Sequence, residues 1–164
     1  MSTDTNVRSD SSTEVGRLQQ AVLGGSVPRP LVVVNGERSG LAAMETALKL
    51  AGNETIAIDV LYVVDTPEHN DFALRRAESE GEEAIAEAIE MADRVGVETN
   101  RWFRYGRTDR EVRSFVETHP VDLVILGAPR RRGIKRVVTP GSVIPRVRRG
   151  TDVPVLAVTP DRST

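Results

Sequence analysis

The chain reads as an α/β domain built on a five-stranded, parallel, doubly wound sheet in the order 3-2-1-4-5, Rossmann-like, with helices on both faces. Three observations predict it. Segments such as 31–34 and 121–126 are apolar without alternation, as strands covered on both sides are. Segments of helical period separate them, and right-handed crossovers between parallel strands restrict the topology to a doubly wound sheet. At 164 residues and 39% hydrophobic content the chain suffices for one domain with a real core.

Residues 1–12 are small and polar, and Thr13–Leu23 carries Val15, Leu18, Val22 and Leu23 at helical spacing before Gly24-Gly25, a short helix expected to cover one edge of the domain. Leu31–Val34 is the first strand, and a helix from about Gly40 to Leu50 follows with Leu41, Met44, Ala47 and Leu48 on one face. Thr55–Val64 is the second strand. A long helix, about Phe72 to Val95, turns Leu74, Ala77, Ala84, Ile85, Ala88, Ile89 and Ala92 inward and its acids toward solvent. Val97–Tyr105 alternates as a strand, and Thr108–Glu111 has the pattern of a capping box opening a helix through Val112, Phe115 and Val116. Val121–Leu126 is a strand ended by Gly127, a short helix starts at Ser142 with Pro145 in its first turn, and Val153–Val158 is the last strand. The expected division is an N-terminal extension over 1–28, a domain over 29–160 and a polar tail over 161–164.

The formal net charge of −2 conceals an asymmetry, since residues 1–100 carry 8 Lys+Arg against 18 Asp+Glu while residues 101–150 carry 13 against 4. Eight basic residues and no acid lie between Arg130 and Arg149, and a field of that sign favours an anionic ligand. Absence of cysteine excludes disulfides, thiolate metal sites and a catalytic thiol. Neither a membrane-spanning run nor a secretory leader is read, and a cytoplasmic setting is the expectation.

A doubly wound sheet binds small ligands beyond the C-terminal ends of its strands where the winding reverses, here between strands one and four. That places Val34-Asn35-Gly36 opposite Leu126-Gly127-Ala128. Gly141-Ser142 at a helix start offers free N–H groups and a hydroxyl, a phosphate-binding combination, and Arg130, Arg131, Arg132, Lys135 and Arg136 add positive charge. Catalysis is not expected. His69 and His119 are read as surface residues without a nucleophile or metal-ligand spacing, no GxxxxGK[ST] or strand-linked GxGxxG occurs, and Asp65 is a poor phosphoacceptor.

The tail VDLVILGAPRRRGIKRVVTPGSVIPRVRRGTDVPVLAV, with LVVVNGERSGLAAMETALKLA and VLYVVD before it, resembles the universal stress protein family over about residues 30–159. The resemblance implies an adenine nucleotide, ATP or AMP, as ligand, with Mg2+ only alongside ATP, and a sensing or regulatory role rather than turnover. It implies Gly127, Gly141, Ser142 and Val143 in the phosphate loop and the main chain of Val63 against adenine. Three departures from the family pattern stand out. Arg130 occupies the position of a second glycine, ten residues rather than nine separate it from Gly141, and Asn35 replaces a ribose-holding aspartate, weakening that contact by about 1 kcal/mol. The alternative reading is a scaffold that has lost the nucleotide. Under either, a homodimer through the last strand (153–158) is expected, and nucleic acid is not an expected partner because aromatic content is only 4%.

Overall fold

A computed structural model of the protein describes residues 28–35, 38–52, 56–66, 70–128 and 143–160. Along them run β1 (Pro30–Val33), α1 (Arg38–Ala51), β2 (Ala57–Val64), α2 (Asp71–Arg94), β3 (Glu98–Tyr105), α3 (Thr108–Thr118), β4 (Leu123–Gly127), α4 (Val143–Gly150) and β5 (Val155–Val158). Every strand pair is parallel and the sheet order is β3-β2-β1-β4-β5, the predicted one. The helix expected over Thr13–Leu23 lies outside the described residues.

Period-two alternation divides the core. Val32, Val34, Ile58, Val60, Tyr62 and Ile125 pack with Met44, Ala47, Ile85 and Ala88 of α1 and α2. Leu31, Val33, Leu61, Val63, Val124 and Leu126 pack with Val112 and Phe115 of α3 and Val147 of α4. Two helices therefore cover each face, as right-handed crossovers dictate.

Several boundaries moved for local reasons. β1 opens on Pro30, tolerated at a first strand position, and α1 begins at Arg38, before the expected Gly40. β4 starts at Leu123 because the Val121 N–H turns back to the His119 carbonyl at 2.8 Å. β5 starts at Val155 rather than Val153, since Pro154 has no N–H, although its carbonyl accepts from Val124 at 2.9 Å. Asn70 caps α2, its Oδ1 accepting from Ala73 N at 2.7 Å.

The capping box at Thr108–Glu111 does not form. Thr108 is already helical, and Arg107 before it makes no side-chain cap bond. Thr108 instead donates its N–H and its hydroxyl to Asp65 Oδ2, at 2.9 and 3.0 Å, so the end of β2 caps α3. A carboxylate facing a helix N-terminus makes charge-assisted bonds that a side chain within the helix does not match.

His119 is half-buried rather than freely exposed. Its ring stacks on Phe115 at 3.9 Å and meets the edge of Trp102 at 4.8 Å, with Nδ1 3.0 Å from the Phe115 carbonyl oxygen. Nearby, the buried Asp59 accepts from Trp102 Nε1 at 2.9 Å and Asn100 Nδ2 at 3.1 Å, which satisfies a carboxylate that would otherwise be costly inside.

Gly81 sits inside α2, where glycine ordinarily weakens a helix. The reason is steric. A Cβ there would stand 2.4 Å from Tyr62 Cδ1 and 2.8 Å from Phe103 Cζ, two rings packed with centroids 5.3 Å apart. Gly81→Ala gains about 1 kcal/mol of helix propensity, but a Cβ 2.4 Å from a ring carbon overpacks by about 2–3 kcal/mol. The expected result is a melting temperature about 2–8 °C lower; an unchanged or raised value in calorimetry contradicts the packing account. Asp65→Ala removes the cap of α3 and costs about 1 kcal/mol, and Asp65→Asn, which keeps an acceptor oxygen, costs less in the same denaturation measurement. Equal stability of Asp65→Ala and wild type contradicts the capping role.

Candidate functional site at the β1/β4 switch point

Val33 of β1 lies level with Leu126 of β4, so Val34 and Gly127 reach the end of the sheet together. Beyond them β1 leads to α1 on one face, while α4, after β4, packs on the other, and the two departures open a cleft at the carboxyl ends of the strands. Asn35 stands at its edge, half-buried.

Asn35 folds back over the first turn of α1. Ser39 Oγ is 3.3 Å from Asn35 Nδ2 and 3.3 Å from Oδ1. A Cβ on Gly40 would fall 2.8 Å from the Asn35 N and 2.9 Å from its Oδ1, so glycine at 40 makes room for the amide. A Cβ on Gly127 would fall 2.3 Å from the Ser39 carbonyl carbon and oxygen and 2.7 Å from Gly40 N. Gly127 is required by the close approach of α1 to β4, a constraint of packing.

Val63 is buried, at 8% exposure, in the core beneath α3 and α4 and lies level with Arg104 of β3. Val143 is the first residue of α4 and packs partly buried against the same core. Gly36, His69, Arg130, Arg131, Gly141 and Ser142 lie outside the described residues.

A pocket of about 180 Å³ opens on the α1 and α2 side of Asn35. Val34, Leu41, Gly40 and Ala84 form its apolar part, Arg38 supplies a cation, and Glu80, Glu83 and Glu87 of α2 form an acidic wall. Glu80 is ion-paired to Arg76 at 3.0 Å. All three acids are exposed, on the solvent side of α2 as expected, and Glu83 and Glu87 flank the inward-facing Ala84. Such a wall repels phosphate and suits hydroxyls or a neutral ring edge. Among the described residues no group of three or more His, Cys, Asp or Glu is arranged to hold a metal, and no helix is long and apolar enough to cross a membrane.

Residues 28–159 match the model of the Universal stress protein family. Universal stress protein MJ0531 of Methanocaldococcus jannaschii is 27% identical over 136 residues, 78% of this chain and 79% of that protein. A protein of the universal stress protein family from Burkholderia pseudomallei shares the fold with a TM-score of 0.64 at 21% identity, over 80% of this chain and 96% of the other. A universal stress protein family protein from Arabidopsis thaliana, solved with AMP bound, gives a TM-score of 0.60 at 16% identity, over 82% and 93%. With the five parallel strands in order and the family's model matched from Pro28 to Thr159, this chain belongs to the universal stress protein family.

Proposed function

We propose that the chain binds an adenine nucleotide, ATP or AMP, at the switch point between β1 and β4, and serves as a sensing or regulatory module with little or no turnover. The observation that carries this reading is the convergence of Asn35 and Gly127 at the cleft, in a fold whose Arabidopsis thaliana relative holds AMP. The residues present fit a nucleoside. Asn35 offers an amide for ribose, and Val34 and Leu41 offer apolar surface beside it; the main chain of Val63 is the group the family resemblance sets against adenine.

The acidic wall of α2 directs phosphates away from itself, toward the side on which β4 ends and the basic segment 130–136 follows in sequence. Gly141-Ser142, Val143 and the arginines at 130 and 131 then receive them. Mg2+ enters only with ATP, on its phosphates. Two copies pair through β5, an edge strand whose four residues are all partly exposed.

Thermal shift and calorimetric titration with ATP, AMP and GTP, on wild type and on Arg130→Gly, test the reading. Saturable binding of ATP or AMP is expected, with stabilisation of about 2.7 kcal/mol at a hundredfold excess over Kd, and little response to GTP. No response of wild type to any of the three overturns it. Binding by Arg130→Gly alone supports the scaffold reading, in which the arginine closes the loop.

A further inference from the structure

The two faces of β3 are covered unequally. Toward α2, Phe103 packs on Tyr62 with ring centroids 5.3 Å apart, Tyr105 donates its hydroxyl to Glu78 at 2.9 Å, and Arg101 pairs with Glu82. Period-two alternation turns Asn100, Trp102 and Arg104 to the other side. There α3 packs over β2 and meets the Trp102 ring through Phe115 and His119. Asn100 is left exposed, and Trp102 and Arg104 are half-buried.

The Arg104 guanidinium lies 5.8 Å from the centre of the Phe115 ring, and among the described residues no carboxylate is ion-paired to it. A cation partly withdrawn from water gains from an acidic partner. Trp102 commits its indole N–H to the buried Asp59 at 2.9 Å, so what it leaves on this face is apolar ring. The face therefore suits an apolar stripe that carries one acid at the Arg104 end.

Residues 13–23 have that pattern. Val15, Leu18 and Val22 recur at helical spacing, with Glu14 one turn before Leu18. The segment joins the domain at Pro28, just before β1. Leu31 of β1 lies level with Asp59, and Asp59 with Asn100, so the chain enters at the Asn100 end of the face. The five steps from Leu23 to Pro28 reach about 17 Å when extended, enough to cross the roughly 10 Å from β1 past β2 to β3. A helix lying along β3 with Leu23 near Asn100 puts Glu14 about 14 Å farther on. Four residues of strand put Arg104 about 13 Å from Asn100.

We propose that residues 13–23 dock as a helix on the α3-side face of β3, antiparallel to the strand, with Leu18 against Trp102 and Glu14 paired to Arg104. The occupant of this face is thus the chain's own N-terminal segment, which completes the helical layer that α3 and α4 begin.

Fluorescence of the full chain tests it, because Trp102 is the single tryptophan. Leu18→Asp is expected to shift the emission to the red and open Trp102 to quenching by acrylamide at every protein concentration, while the cooperative melting transition is retained. Glu14→Arg and Arg104→Glu are each expected to do the same, and the two together to restore the wild-type emission and quenching, the coupling that a contact between the two positions produces. Unchanged emission and quenching in Leu18→Asp overturn the proposal, as do additive effects of the two charge reversals. Quenching that falls as protein concentration rises, in wild type and Leu18→Asp alike, assigns the face to a second copy and also overturns it.

Discussion

The contact on which the rest depends is the approach of the first turn of α1 to the ends of β1 and β4. The Ser39 carbonyl occupies the space where Gly127 would carry a side chain, and the Asn35 amide presses against the bare Cα of Gly40. Any larger residue at 127 forces α1 away from the sheet. With α1 in place, Met44, Ala47 and Leu50 seal one face, Asn35 is held over the helix start, and the cleft acquires its polar edge. Fold and candidate site thus share one close contact, between the first turn of α1 and the ends of β1 and β4.

Strand order and helix sides were legible because they follow from period and handedness, which local sequence carries. What was hidden depended on partners distant in sequence. Asp65 capping α3 across 43 residues leaves no trace in the local pattern, and the Thr108–Glu111 motif pointed to a cap that the neighbouring strand supplies. Gly81 is intelligible only once Tyr62 and Phe103 are seen beneath it, and His119 only against Phe115 and Trp102. The positions of Asn35 and Gly127 at the ends of β1 and β4 were legible from topology alone. The packing contact at Gly127 was not legible, because it depends on how α1 is phased against the sheet.

Charge is distributed to match. The α2 side carries Glu80, Glu83 and Glu87 at the pocket, and its other acids are partly met by arginines, as in the pairs Arg94–Glu90 and Arg101–Glu82. Past β4 the balance reverses, with Arg148 and Arg149 in the last turn of α4, where the helix dipole also favours cations. The near-neutral total is the sum of an acidic first part of the sequence and a basic later part.

The most direct measurement is an amide-resolved NMR titration of the full chain with AMP. The account predicts saturable shifts concentrated at Val34, Asn35, Ser39, Gly40, Val63 and Gly127, on both sides of the switch point. Shifts confined to the outer surfaces of α3 and α4, with those amides unmoved, would contradict it.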